Sequence, residues 1–315
     1  MGRVLVTRPL IEGGTDPLVE AGHEIVISPV SPSAPELVSL APEFDGIVSH
    51  LTDRIDAAVL AAGNGGKLRV VANAAVGYDN IDVGRAHELG ITVCNTPGVL
   101  DDTTADLAFL LILAATRLST EAEADLREGR WKGWGFGDHL ARDVHGVTLG
   151  LVGFGRIGRA VAQRAGGFDM EVIHTTRHDT GLHGYVATLN ELLQRSDIVS
   201  LHVPLTESTR HLIGAAELAV MKPTAVLVNT ARGPVVDENA LVDALEEDRL
   251  YAAGLDVFDG EPAVNPRLLA APRTTLLPHI GSATIGTRTR MARLACQGVA
   301  DVLADRTPPN AVAST

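Results

Sequence analysis

The 315-residue chain is 45% hydrophobic but only 3% aromatic, so aliphatic side chains must fill its cores; at roughly 100–200 residues per domain, two domains are expected. A formal net charge of -13 argues against nucleic acid and against an anionic membrane surface as partners. Cys94 and Cys296 stand far apart and form neither a disulfide framework nor a zinc site, as expected of reduced cysteines in a cytoplasmic protein. Met1-Gly2-Arg3 runs straight into Val4-Leu5-Val6, which does not read as a signal peptide, and the longest strongly apolar run, 107–115, is too short to span a bilayer.

Short aliphatic runs at 4–6, 24–27, 46–49 and 68–72 read as strands, with helices at 15–21 and 53–62 between them. Such alternation with short connections predicts a parallel sheet covered by helices on both faces. The proline- and serine-rich segment 28–35 reads as surface loop. Near residue 100 the pattern changes. Asp101, Asp102, Thr103, Thr104, Ala105 and Asp106 lead into a strongly apolar helix through Thr116, with capping residues and early acids at its positive end. From 147 a second alternation begins, with strands at 147–152, 171–175, 198–203, 225–229, 253–257 and 275–278. A helical stretch at 284–304 follows.

Gly153-Phe154-Gly155-Arg156-Ile157-Gly158 fits the pattern G-x-G-x-x-G. Alone the pattern is weak, since any tight strand-to-helix turn can carry it. Here it follows a strand and opens a helix whose apolar positions Ile157, Ala160, Val161 and Ala165 keep helical spacing. Gly153 permits the tight turn, Gly155 lets backbone approach a pyrophosphate, and Gly158 lets helix and strand pack closely. The helix N-terminus offers free N–H groups to the phosphates, with Arg156 and Ile157 inside that cradle. The next strand ends in Thr176-Arg177, without the acid that would accept bonds from ribose hydroxyls. A hydroxyl and a guanidinium fork suit a 2′-phosphate, so NADP(H) is the preferred cofactor, while Asp179 close by leaves NAD(H) open.

Three later stretches each begin in an apolar strand and end in polar residues: Asn229 to Glu238, Gly254 to Pro262, and Leu277 to Ala283. Ligands bind beyond the carboxyl ends of parallel strands, so Arg232, Glu261 and His279 are expected to converge. Singly, each has an ordinary alternative as a surface charge, a loop acid or a structural histidine. His174 and His178 lie on a strand end and a loop with no metal motif around them, and no metal is expected.

With Val76-Gly77-Tyr78-Asp79-Asn80-Ile81-Asp82, Asn95-Thr96-Pro97-Gly98, the glycine fingerprint and His202-Val203-Pro204-Leu205-Thr206, these stretches resemble the D-isomer-specific 2-hydroxyacid dehydrogenases over almost the whole chain. The glyoxylate/hydroxypyruvate reductase branch is the nearest in look. The resemblance implies two doubly wound parallel-sheet α/β domains. A Rossmann cofactor domain, 99–283, is inserted into a flavodoxin-like substrate domain, 1–98 and 284–315. Catalysis is expected in the cleft between them. It implies His279 as proton donor to the carbonyl oxygen, with Glu261 keeping the imidazole protonated near neutral pH. Arg232 would bind the substrate carboxylate and polarise the ketone, and backbone N–H groups around Val76 and Gly77 would hold the same carboxylate. Asp256 would receive the nicotinamide carboxamide, and His202 and Pro204 would line the cofactor. Thr104, Thr209, Thr230, Gly281 and His279 itself complete the implied cofactor contacts.

Trp131 and Trp134 read either as rings in an interdomain or dimer contact or, as the resemblance implies for Trp134, as a side chain reaching the partner subunit's substrate site. A homodimer through the cofactor domain is implied. Asp169 stands where relatives usually carry glycine, which puts that turn's geometry in question. The expected activity is reduction of glyoxylate or hydroxypyruvate to glycolate or D-glycerate. Alternatives are another 2-keto acid, phosphite, or a dinucleotide-sensing corepressor-like role, the last disfavoured by a tail of only 306–315.

Overall fold

Eleven strands, all paired in parallel, form two sheets in the computed structural model, which describes residues 1–313. One unit takes Met1–Leu100 and the chain from Ser282 onward, and the other takes Asp101–Gly281.

The first unit holds β1 (Arg3–Val6), β2 (Glu24–Ile27), β3 (Gly46–Ser49), β4 (Val70–Asn73) and β5 (Thr92–Cys94), in the order β2-β1-β3-β4-β5. Its first helices are α1 (Asp16–Glu20), α2 (Ala34–Leu40), α3 (Ala57–Asn64) and α4 (Val83–Glu88). All four residues of β3 and of β4 are buried, as strands covered on both faces must be. Several predicted bounds move. The strand expected at 68–72 is β4, and the helix expected at 53–62 is α3, because Asp56 caps it by accepting from Ala58 and Val59 N–H while Asp53 is used elsewhere. β5 was not expected.

The second unit holds α5 (Asp101–Thr116), α6 (Ser119–Arg127), β6 (Thr148–Val152), α7 (Arg156–Ala165), β7 (Glu171–Thr175), α8 (Leu189–Arg195) and β8 (Ile198–Leu201). It continues with α9 (Ala215–Val220), β9 (Val226–Asn229), α10 (Glu238–Glu246), β10 (Ala252–Leu255), α11 (Pro266–Ala270) and β11 (Thr274–Leu276). The strand order is β11-β10-β9-β8-β6-β7. α5 buries Ala105, Ala108, Leu111, Ile112 and Ala115 against this sheet. It lies close because Gly254 has no side chain, and a Cβ there would stand 3.0 Å from Leu111 Cβ. Strands expected to run to 203, 257 and 278 stop at Leu201, Leu255 and Leu276, leaving His202 and Asp256 in loops beyond the sheet, where His279 was already expected. Asp169 takes the left-handed conformation at φ +52°, which a short polar side chain tolerates, so the turn keeps its shape without glycine.

The chain then returns to the first unit as α12 (Ile285–Leu303). Ala295, Cys296 and Val299 of α12 pack with Val4, Val6, Val48 and Val70 on one face of the sheet. Leu5, Ile47, Val71 and Val93 point to the other face, against Leu37, Val59 and Leu60. This alternation is the pleat of the strands expressed as two cores. No single helix among the described residues is long and apolar enough to cross a membrane.

Candidate functional site

In the second unit the strand order reverses between β6 and β8, and the glycine-rich turn sits at that switch point. Gly153 has φ +96°, and a Cβ on it would lie 2.6 Å from the His202 carbonyl oxygen. A Cβ on Gly158 would collide with the Gly153 carbonyl oxygen. Gly155, the N-cap of α7, has nothing within 4 Å of a would-be Cβ, so its missing side chain leaves open space in front of the helix. Arg156, Ile157 and Gly158 form the first turn of α7, whose N–H groups have no acceptor within the helix. Two glycines required by the protein's own packing and a third facing open space are the arrangement a pyrophosphate needs.

The loop after β7 is internally bonded. The Thr176 hydroxyl donates to the His178 carbonyl at 2.5 Å, and Gly181 N–H donates to Asp179 Oδ1 at 2.8 Å. Arg177 is exposed. The acid that left NAD(H) open is thus turned into its own loop. Beneath, His174 is buried, stacks on Phe154 with centroids 3.8 Å apart, and contacts Thr180 Oγ1 at 2.8 Å. Burial and, after it, Arg159 push its imidazole down, which fits a packing role.

Beyond β8, His202 Nε2 lies 2.9 Å from Ser200 Oγ, and desolvation pushes the half-buried residue's imidazole down to about 4. The Thr209 hydroxyl donates to the Pro204 carbonyl at 2.6 Å and accepts Thr206 N–H at 2.8 Å, so it builds the turn that carries Pro204. Beyond β9, Thr230 Oγ1 is buried and has no hydrogen-bond partner among the described residues. An unsatisfied buried hydroxyl beside the sheet's carboxyl edge is what a bound ligand would complete.

Arg232 is held by its own segment: Asn229 Nδ2 donates to its carbonyl at 2.9 Å, and its Nη1 donates to the Ala231 carbonyl at 2.8 Å. Glu261 Oε2 lies 2.7 Å from His279 Nδ1, with both side chains about three-quarters buried. Burial raises the Glu261 carboxyl, but His279, the Phe258 N–H and Arg232 together bring it below its ordinary value. It is therefore a carboxylate that accepts Nδ1–H, which leaves Nε2 as the outward nitrogen. His279 has φ +53°, an uncommon backbone state for a non-glycine residue. Asp256 is 1% exposed and accepts N–H from Ile280 at 2.7 Å and from Gly281 at 2.8 Å. A Cβ on Gly281 would stand 3.5 Å from the Thr104 methyl carbon, so Thr104, Asp256 and Gly281 lie together.

In the first unit, Asn95 Nδ2 donates to the Val76 carbonyl and Asn73 Nδ2 to the Gly77 carbonyl, both at 2.7 Å. Because C=O and N–H point opposite ways across a trans peptide, pinning these carbonyls turns the N–H groups of Gly77 and Tyr78 away from the two asparagines. Asn73 also donates to Asn80 Oδ1 at 3.0 Å, and Asn80 donates to the Asp53 carbonyl at 2.8 Å. Asp53 is buried and accepts from Thr7 Oγ1 at 2.5 Å, His50 N–H at 2.7 Å and Ser31 Oγ. Burial raises its carboxyl, yet the bonds from His50, Ser31 and Thr7 prevail and bring it to about 2. Sequence reasoning missed this network. The available signal was position: Thr7, His50, Asn73 and Asn95 all stand at or just past the carboxyl ends of strands.

Trp134 is 82% and Phe136 89% exposed, their rings edge to face at 6.2 Å, with Trp131 and Leu140 exposed nearby in sequence. No group of three or more metal-ligating side chains occurs among the described residues.

Residues 109–281 match the NAD binding domain of the D-isomer specific 2-hydroxyacid dehydrogenases. Over 98% of its length the chain is 44% identical to a glyoxylate reductase of Thermococcus litoralis, covering 96% of it. It is 46% identical to a glyoxylate reductase of Korarchaeum cryptofilum over 98% of this chain and 95% of that one. A crystal structure of a Thermus thermophilus protein, 44% identical, is similar with a TM-score of 0.93 over 99% of this chain and 100% of that one. An NADPH-dependent glyoxylate/hydroxypyruvate reductase of Sinorhizobium meliloti, solved with NADP and malonate, is 36% identical with a TM-score of 0.89 over 99% and 96% of the two chains. Fold and matches agree, and the chain belongs to the D-isomer specific 2-hydroxyacid dehydrogenase family.

Proposed function

We propose that this protein reduces a small 2-keto acid, glyoxylate or hydroxypyruvate, to the 2-hydroxy acid, with NADPH preferred over NADH. The observation that carries the reading is the Glu261–His279 pair at 2.7 Å, placed with Arg232 beyond the strands of a dinucleotide-binding sheet. The names of the full-length relatives support the substrate class.

The nicotinamide, when bound, supplies hydride to the carbonyl carbon. His279 Nε2 gives its proton to the carbonyl oxygen, and the ring stays oriented because Nδ1 keeps its own proton and donates it to Glu261. The ring is then neutral and takes its next proton from water. Arg232 binds the substrate carboxylate through its planar fork and polarises the ketone. The turn at Val76 and Gly77 is the second candidate for that carboxylate, with its carbonyls already tied by Asn95 and Asn73. Gly153, Gly155, Arg156, Ile157 and Gly158 hold the pyrophosphate. Thr176 and Arg177 take the adenosine 2′-phosphate, His202, Pro204, Thr209, Thr230, Thr104 and Gly281 line the dinucleotide, and Asp256 meets the carboxamide.

The exposed apolar run at Trp131, Trp134, Phe136 and Leu140 supports self-association, since monomers rarely leave several large apolar side chains uncovered together. We assign it to a homodimer contact in which Trp134 reaches the partner subunit's substrate site.

The test is steady-state oxidation of NADPH and of NADH with glyoxylate, hydroxypyruvate, pyruvate and 2-ketobutyrate. Fast NADPH oxidation with the first two is expected. Turnover confined to another acid would move the substrate assignment, and cofactor binding without any turnover would favour a sensing role.

A further inference from the structure

The turn that carries Glu261 is fixed from two directions. Within it, Phe258 N–H donates to Glu261 Oε1 at 2.9 Å while Oε2 meets His279. From outside, Asp259 N–H donates to Glu238 Oε1 at 2.7 Å, and Glu238 opens α10. The segment before α10 touches the turn again: a Cβ on Gly233 would overlap the Phe258 carbonyl and the Asp259 nitrogen, so backbone lies directly on backbone.

An acid in the first turn of a helix is ordinarily there for the helix dipole. That role does not require Glu238 to bind an N–H 21 residues away. Glu238 is half-buried, and its carboxyl is pushed up by burial and then by the charges of Asp259 and Glu261, against the pull of the Asp259 N–H. The charged groups around the pair are Glu238 from α10, Asp259 and Glu261 in the turn, Arg232 after β9, and Asp256 after β10.

We infer that Glu238 is a positioning residue for the Glu261–His279 pair: it clamps the turn through Asp259 N–H and sets a second carboxyl behind Glu261. The inference rests on the reductase reading of that pair. Glu238→Ala removes the acceptor and the charge, whereas Glu238→Gln removes the charge but keeps an oxygen for Asp259 N–H.

With glyoxylate and NADPH, Glu238→Ala should lower kcat about tenfold with KM for the cofactor unchanged. Glu238→Gln should recover kcat to within about twofold while the alkaline limb of the pH profile moves down by about half a pH unit. A substrate-free readout accompanies these. The His279 ring signal, identified in NMR spectra by its loss in His279→Gln, should be displaced in both variants relative to the parent. An inactive parent whose variants nevertheless displace the ring signal would overturn the reductase reading and retain the positioning role. An active parent, with both variants superimposing on it in pH profile and ring signal, would overturn the positioning role. Should Glu238→Ala not fold, the Glu238→Gln pair of measurements decides alone.

Discussion

Asp256 accepts the N–H of Gly281 at 2.8 Å, with Ile280 on its other oxygen, so a buried carboxylate holds the turn that follows His279. Burial outweighs these bonds and the charge of His279, and raises the carboxyl from 3.8 to about 6. An acid with a raised folded value favours folding most while it is protonated, and that advantage is lost as pH rises from about 4 to 6. The swing amounts to roughly 3 kcal/mol. Urea unfolding of the parent and of Asp256→Asn between pH 3.5 and 7 should show the parent losing about that much relative to the variant. A difference that does not change with pH would show that the two N–H bonds offset burial completely.

Two of the fingerprint glycines should separate by readout. Gly158→Ala forces a methyl onto the Gly153 carbonyl oxygen and should cost about 2 kcal/mol or more of stability. Gly155→Ala meets nothing in the protein and should cost about 1 kcal/mol or less as a lost N-cap preference, yet weaken NADPH binding at least about tenfold. Calorimetric melting beside cofactor titration distinguishes them, and a Gly155→Ala protein that binds NADPH normally would remove the pyrophosphate from this turn.

Arg177 is exposed on a loop already closed by Thr176 and Asp179, so its loss should leave the fold intact. Arg177→Ala should raise the Kd for NADPH about tenfold and leave that for NADH within about twofold. Equal losses for both cofactors would take the 2′-phosphate away from Arg177.

His279→Gln should lower kcat by roughly 10²–10⁴ with cofactor affinity retained. Arg232→Lys keeps the charge but not the fork, and should raise KM for glyoxylate by at least about tenfold. Glu261→Gln should lower kcat less than His279→Gln does, because it leaves the ring in place without a carboxylate to hold Nδ1–H. Single-turnover rates and steady-state constants check all three. An Arg232→Lys enzyme of unchanged KM would point the substrate carboxylate elsewhere.

The strands at 24–27, 46–49 and 171–175 coincide with aliphatic runs because both of their ends meet turns the sequence marks clearly. β5 escaped because three residues opening on Thr92 are too few to show a run. α6 escaped because it buries nothing and so has no apolar stripe. In the site, Arg232, Glu261 and His279 were legible as polar residues closing apolar strands. The support behind Val76 and Gly77 was not, since Thr7 and Asp53 are 46 residues apart and Asn95 and Val76 are 19 apart. Hydrogen bonds across such separations leave no periodic trace in a sequence. The bond from Asp259 to Glu238 was invisible for the same reason.

The placement of α12 has a consequence for how the chain matures. Asp101–Gly281 is one continuous stretch, so it can close its cores as soon as Gly281 has left the ribosome. The other sheet, although its five strands are made first, has only part of the face of Val4, Val6, Val48 and Val70 covered, by Leu10 and Leu18, until Ala295, Cys296 and Val299 arrive. The unit that is begun first is the one completed last.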